Sequence, residues 1–184
     1  MQLTLIRHLP TEWNRKTWLQ GRKDIDISQL TEEFQIGINE NRLLLKKLAP
    51  FDLVLASTLK RTHQTAQLYG YVPEVEGLLD ELDFGPFEGL PKEKLVENNN
   101  RLWIEKPSEL ILGESLKSFE ERIVLFLDKY HDLHNILVFG HGSWIRALIS
   151  YIKHGHIDEM NKITVKNNCC ISLSFIHNKR RGDK

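Results

Sequence analysis

Gln2-Leu3-Thr4-Leu5-Ile6-Arg7-His8-Leu9-Pro10-Thr11-Glu12-Trp13-Asn14 decides how this chain is read. Residues 3–7 have the short apolar composition of a buried strand, and Arg7 and His8 stand where that strand must end. A fixed cation beside an imidazole suits phosphoryl chemistry. The guanidinium offers a planar fork of donors to phosphate oxygens, and a neutral imidazole can attack phosphorus and carry a covalent intermediate. Thr11 and Asn14 follow as short polar groups a turn or two further on.

Two more stretches, residues 51–56 and 135–140, read as the same kind of strand, and a helix signal follows each. Residues 31–48 have the composition of an amphipathic helix with Phe34, Ile38, Leu44, Leu45 and Leu48 as inward positions, weakened in the middle by Gly37 and asparagines. Ser57 and Thr58 are natural N-caps for a helix reaching about residue 69. Residues 115–133 align Leu116, Phe119, Ile123, Phe126, Leu127 and Tyr130 on one stripe, and a helix over 144–152 follows Gly140-His141-Gly142-Ser143. Near the end Ile171, Leu173 and Phe175 alternate with Ser172 and Ser174, a period-two strand. Strands alternating with helices predict an α/β fold, a mostly parallel central sheet covered on both faces in a three-layer α/β/α arrangement. Ligands in such folds sit beyond the carboxyl ends of the strands, where Arg7-His8, residues 57–61 and residues 140–142 all fall.

Composition narrows the partners. A chain of 184 residues is the size of one domain, with 25 Lys and Arg balancing 25 Asp and Glu. That balance gives no global field to favour nucleic acid or an anionic membrane surface, so any anion must be held locally. No basic region, apolar stretch and small-residue cleavage site follow one another at the start, and no apolar run approaches the roughly 20 residues that cross a bilayer. The expectation is a soluble cytoplasmic protein. Cys169 and Cys170 are neighbours, which favours reduced thiols over a strained disulfide, and they lack zinc-site spacing. Residues 178–184 form a basic tail that reads as solvated.

Three other segments complete the candidate site. In residues 56–66, Arg61 falls in the first turn of a helix, where a cation makes sense if a bound anion accompanies it. Residues 79–89 are dense in carboxylates among apolar and turn residues; Asp80, Glu81, Asp83 and Glu88 all qualify by type as the acid that a departing alkoxide requires. His141 lies at a strand end between Gly140 and Gly142, which let backbone approach a ligand, and a second imidazole can donate to a phosphoryl oxygen. Trp13, Trp18, Phe84, Phe87 and Trp103 are candidates for the mouth of the site. His63, His131 and His134 suit helix positions, His177 belongs to the tail, and His154 with His156 lacks the further ligands a metal site needs.

Together these residues resemble the histidine phosphatase superfamily, also called phosphoglycerate mutase-like. Its opening signature, Arg-His-Gly-x-Thr with a nearby Asn, is similar to Arg7-His8-Leu9-Pro10-Thr11 with Asn14. The similarity continues through Leu19-Gln20-Gly21-Arg22 with Asp24, residues 57–66, residues 81–89, Gly113-Glu114-Ser115 and His141-Gly142. The resemblance implies His8 as the residue phosphorylated in turnover, Glu81 as proton donor, and Arg7, Arg61 and His141 around the phosphoryl group. Asn14, Thr11, Gln20, Gly21 and Gly142 become candidate phosphate or substrate contacts, with no metal and no organic cofactor needed for hydrolysis. The expected activity is a phosphatase acting on a small phosphorylated metabolite; the alternatives are a phosphoglycerate-type mutase and a phosphate-binding module with an idle site. Leu9 departs from the family glycine after the nucleophile, and the expectation is an isobutyl group close to the pocket. Oligomeric state has no signal in the sequence.

Overall fold

The computed structural model describes residues 1–175, except the side chains of Asn98 and Asn100. The basic tail and His177 lie outside the described residues. Five strands, β1 (Gln2–Arg7), β2 (Leu53–Ala56), β3 (Glu74–Val75), β4 (Asn135–Gly140) and β5 (Cys170–Ser174), form one sheet in the order β3-β2-β4-β1-β5. The helices are α1 (Glu12–Arg15), α2 (Glu32–Leu48), α3 (Lys60–Tyr69), α4 (Lys92–Glu105), α5 (Leu116–Lys129) and α6 (Gly142–His154).

Alternation along the strands builds two cores. Leu3 and Leu5 of β1, with Ile136 and Val138 of β4, face one side and pack with Phe119, Ile123 and Phe126 of α5 and Trp144 and Leu148 of α6. Ile6, Leu137 and Phe139 face the other side, against Ile38 and Leu45 of α2 and Ala66 and Tyr69 of α3. Both faces of the sheet are therefore apolar, as a mostly parallel sheet requires. On α2, Leu44 is 40% exposed and does not take the inward place expected of it. Ile38 and Leu45, two turns apart, already fill the stripe.

The strand of alternating Ile and Ser is present but runs antiparallel to β1. α6 starts at the carboxyl ends of the strands, so a parallel β5 would begin where α6 finishes. Instead the chain returns across the rim, and Asn168 donates from its backbone to the Arg7 carbonyl at 3.0 Å before β5 enters from the carboxyl end. The returning residues become a wall of the site. α4 has no counterpart in the sequence reading because the Asn98-Asn99-Asn100 run breaks its pattern, and Asn99 indeed leaves helical geometry at φ −135°. Ser57 and Thr58 do not cap α3, whose N-cap is Leu59 without a side-chain bond. Their hydroxyls are committed to His141 and Asp80 instead.

Candidate active site

A cavity of about 380 Å³ opens beyond the carboxyl ends of β1, β2 and β4. Arg7, His8, Asn14, Gln20, Gly21, Arg61, Glu81 and Gly142 line it, so most of the residues singled out from sequence converge.

His8 is the first residue past β1, and its N–H extends the β1–β4 ladder by donating to the Gly140 carbonyl at 2.9 Å. The side chain is 2% exposed, with Nδ1 2.7 Å from the Leu9 carbonyl. Burial, then Arg61, then Arg7 hold its pKa well below 6.5, so the ring is neutral at neutral pH. A carbonyl only accepts, so Nδ1 carries the proton and Nε2 carries the lone pair. That is the tautomer a nucleophile needs.

Leu9 does not intrude on the cavity. Its side chain is fully buried in the core beneath α2 and α3, with Ile6, Ile38 and Ala66, and its N–H donates to Thr65 Oγ1 at 3.0 Å. The expectation of an isobutyl group close to the pocket is corrected: the backbone turns the residue toward the opposite face of the sheet from the cavity.

Arg7 ends β1, and one Nη1 donates to the Val165 carbonyl at 2.5 Å. Arg61, second residue of α3 and fully buried, donates from Nη1 to the Lys23 carbonyl and from Nη2 to the Gly21 carbonyl, both at 2.7 Å. Burial pushes the Arg61 guanidinium down to about 10, opposed by Glu81. Gly21 sits at φ +52°, and a Cβ there would come within 1.9 Å of Glu88 Oε1, so the turn that presents its carbonyl to Arg61 needs glycine. At Gly142 a Cβ would meet the Arg7 guanidinium carbon at 3.2 Å, which is why the cation can lie against the start of α6.

His141 is the N-cap of α6, fully buried, with its Nε2 2.7 Å from Ser57 Oγ. Burial, then Arg61, then His8 lower its pKa well below 6.5. Its ring meets that of His8 edge to face, and it is not among the residues that line the cavity.

Four carboxylates qualified by type, and the structure brings one of them to the cavity. Glu81, 8% exposed, is held by the start of α6. Its Oε2 accepts from Ser143 N at 3.1 Å, and its Oε1 from Trp144 N at 3.2 Å and Leu82 N at 3.0 Å. Asp80 accepts from the Thr58 backbone and hydroxyl, Asp83 from Gly85 N, and Glu88 from Arg22 N and Phe84 N; these three shape loops.

Thr11 is not among the residues that line the cavity and serves as the cap of α1. It is fully buried, and its hydroxyl accepts from Asn14 N at 3.2 Å to cap α1. Asn14 returns the bond, its Oδ1 accepting from Thr11 N at 3.1 Å, and it also reaches the cavity. Trp18, Phe84 and Trp103 line the cavity, whereas Trp13 packs edge-on against Trp18 and Phe87 joins the core.

The sequence reading missed Lys92, Arg146, Asn161 and Asn167, all of which line the cavity. Arg146 carried a usable signal: it is a charge inside the apolar run Trp144-Ile145-Arg146-Ala147-Leu148, one turn past Gly142. Its Nε donates to the Gly142 carbonyl at 3.2 Å, and burial pushes it down to about 10. Lys92 opens the unread α4, and Asn167 holds the His8 carbonyl at 2.9 Å from the returning segment.

The site contains buried polar atoms without protein partners. Among the described residues these include Arg7 Nε, Arg61 Nε and His141 Nδ1, alongside Gln20 Oε1 and Asn161 Oδ1. A buried unpaired donor is costly, so the two arginine Nε–H groups beside the His8 ring mark a place suited to an oxyanion. Among the described residues no group of three or more His, Cys, Asp or Glu could hold a metal ion, and no helix is long and apolar enough to cross a membrane. Cys169 and Cys170 are free thiols.

Comparison with known proteins shows the family. Phosphoserine phosphatase 1 of Hydrogenobacter thermophilus is 30% identical, the match covering 80% of this chain and 74% of that protein. A 2,3-bisphosphoglycerate-dependent phosphoglycerate mutase of Treponema denticola is 28% identical over 97% of this chain and 88% of its own. The crystal structure of the alpha-ribazole phosphatase from Shigella flexneri superposes with a TM-score of 0.75 at 26% identity, covering 95% of this chain and 90% of that one. The profile of the Histidine phosphatase superfamily (branch 1) matches residues 3–183. The chain belongs to that superfamily.

Proposed function

We propose that the protein hydrolyses a small phosphomonoester in two steps through a phosphohistidine on His8. The observation that carries this reading is the neutral His8 ring, protonated at Nδ1, beside the unpartnered Nε–H groups of Arg7 and Arg61 and the unpartnered Nδ1 of His141. In the first step Nε2 forms a bond to phosphorus as the ester P–O bond breaks, and Glu81 gives its proton to the departing oxygen. The arginines and His141 spread the charge on the phosphoryl oxygens, the largest share of catalysis where positioning and electrostatics dominate. In the second step water attacks phosphorus, its proton passes to the Glu81 carboxylate, and the N–P bond breaks. Inorganic phosphate leaves, with His8 and Glu81 restored.

The reading extends to the substrate. Lys92 and Arg146 line the same cavity as Arg7 and Arg61, against the single carboxylate of Glu81. One phosphoryl group engages the two arginines near His8, so the other two cations favour a substrate with a second negative group. A phosphoserine phosphatase among the relatives supports a substrate of that kind.

The test is phosphate release from a panel of phosphomonoesters, with and without a carboxylate, in excess chelator. Chelator-resistant release, fastest on the carboxylate-bearing esters, is expected. Isomer exchange of a phosphoglycerate without net phosphate release would replace the hydrolase reading with the mutase one.

A further inference from the structure

Arg122 of α5 is outside the cavity, yet each of its five N–H groups is spent near the loop that carries Glu81. Nε reaches Glu114 Oε2 at 3.2 Å and Nη2 reaches Glu114 Oε1 at 2.8 Å, a bidentate pair. Nη1 donates to the carbonyls of Leu78 and Asp80, each at 3.0 Å, and Nη2 reaches the Glu81 carbonyl at 3.5 Å. The two charged side chains are 15% and 14% exposed, and the Phe119 ring packs 4.9 Å from the guanidinium. Glu114 is shared in turn: its Oε1 accepts from Asp83 N at 3.0 Å and from Arg22 Nη2 at 3.4 Å. The pair thus grips the main chain on both sides of Glu81.

The geometry points to Arg122 and Glu114 as positioning residues that act through the Glu81 carboxyl, an inference that rests on Glu81 being the proton donor proposed above. The N–H groups of Ser143 and Trp144 hold the carboxyl end of the side chain. They set its location only if its own backbone is fixed as well. Residues 80–84 have no helix or strand to fix them, and the clasp supplies that restraint. Proton donation needs the carboxyl within about 3 Å of the leaving oxygen, whereas attack by His8 does not depend on Glu81. Loosening the clasp therefore slows departure of an alkoxide and leaves departure of a nitrophenolate, which needs no proton, nearly unchanged.

The test compares Arg122→Lys, Glu114→Gln and Glu81→Gln on an alkyl phosphate and on p-nitrophenyl phosphate, with circular dichroism to confirm folding. Arg122→Lys is expected to lose about tenfold in kcat/KM, which reports the phosphorylation of His8 and not the later Glu81-assisted hydrolysis, on the alkyl ester and less than about twofold on the nitrophenyl ester, with no further loss in the Glu81→Gln background. Equal losses on both esters, or a further tenfold loss in that background, would overturn the inference. Glu81→Gln that is indifferent to the leaving group would overturn the proton-donor reading and this inference with it. Leaving-group-dependent Glu81→Gln beside indifferent Arg122→Lys overturns the inference alone. Should Arg122→Lys fail to fold, Glu114→Gln, which keeps one acceptor toward Asp83 and the shape of the side chain, carries the same comparison.

Discussion

The rings of His8 and His141 meet edge to face, with 5.3 Å between centroids and 62° between planes. Two imidazolium ions would not pack this way beside Arg7 and Arg61. The contact is stable because burial, reinforced by those arginines, keeps both rings neutral. Stability therefore depends on pH in a definite direction. In the unfolded chain both histidines take up protons near the ordinary value of 6.5, while the folded chain refuses them until far lower pH. Below that value the unfolded state binds more protons, so stability falls as the pH drops from 6.5. Thermal denaturation should give a lower melting temperature at about pH 5.5 than at about pH 7.5, and a smaller drop in the variant with both His8→Gln and His141→Gln. An equal drop in that variant would place the acid sensitivity elsewhere.

In the proposed mechanism, replacing His8 removes the nucleophile and leaves the cationic cradle intact. His8→Ala should lose about 10³-fold or more in kcat/KM, the scale on which binding and electrostatics persist without covalent catalysis. Rapid acid-free quenching with a ³²P-labelled ester should trap label on the wild-type chain and none on His8→Ala. Trapped label in the variant would move the nucleophile to another residue.

How much of this could be seen in the sequence varies by residue, for physical reasons. β1 and β4 were legible as short apolar runs and α5 by the period of its buried stripe. α4 was not, since the asparagine run carries no periodic signal and the helix depends on burying Leu95 and Trp103. The direction of β5 was beyond a local pattern, because it depends on the route of residues 155–169 over the rim. Within the site, Arg7, His8, Arg61 and His141 are joined to strand ends, and strand ends can be read. Composition alone could not choose Glu81 from its neighbouring carboxylates, and only the family resemblance did, because the choice depends on the N–H groups of Ser143 and Trp144, some sixty residues away. The capping role of Thr11 was not legible because an N-cap and a phosphate ligand ask for the same small hydroxyl.

Lys92 offers a direct reading of the proposed second negative group. It is solvent-exposed at the rim, so its attraction for a carboxylate is screened, and about 1 kcal/mol is the scale to expect. Lys92→Met should raise KM about fivefold for a phosphomonoester bearing a carboxylate and leave KM for an uncharged alkyl phosphate unchanged. Steady-state kinetics on such a pair of esters decides the matter. A rise in KM on both esters would make Lys92 a phosphate contact instead.

Leu9 separates packing from chemistry at the residue next to His8. Its side chain is fully buried among Ile6, Ile38, Ala66 and Phe139, while its carbonyl alone faces the His8 ring. Truncation removes packing in that core and leaves the carbonyl and the Nδ1 hydrogen bond in place. Leu9→Ala should cost about 3 kcal/mol in stability, within the range for a buried leucine that leaves a partly relaxed cavity. Denaturant unfolding measures that loss. Below the melting range kcat/KM should stay within about twofold of wild type, because the cavity wall contains no Leu9 atom whose removal changes charge or shape near the phosphoryl group. A large loss of activity in a stably folded Leu9→Ala would show that the isobutyl group sets the orientation of the His8 ring through the chain, and that the core beneath α2 and α3 belongs to the catalytic machinery.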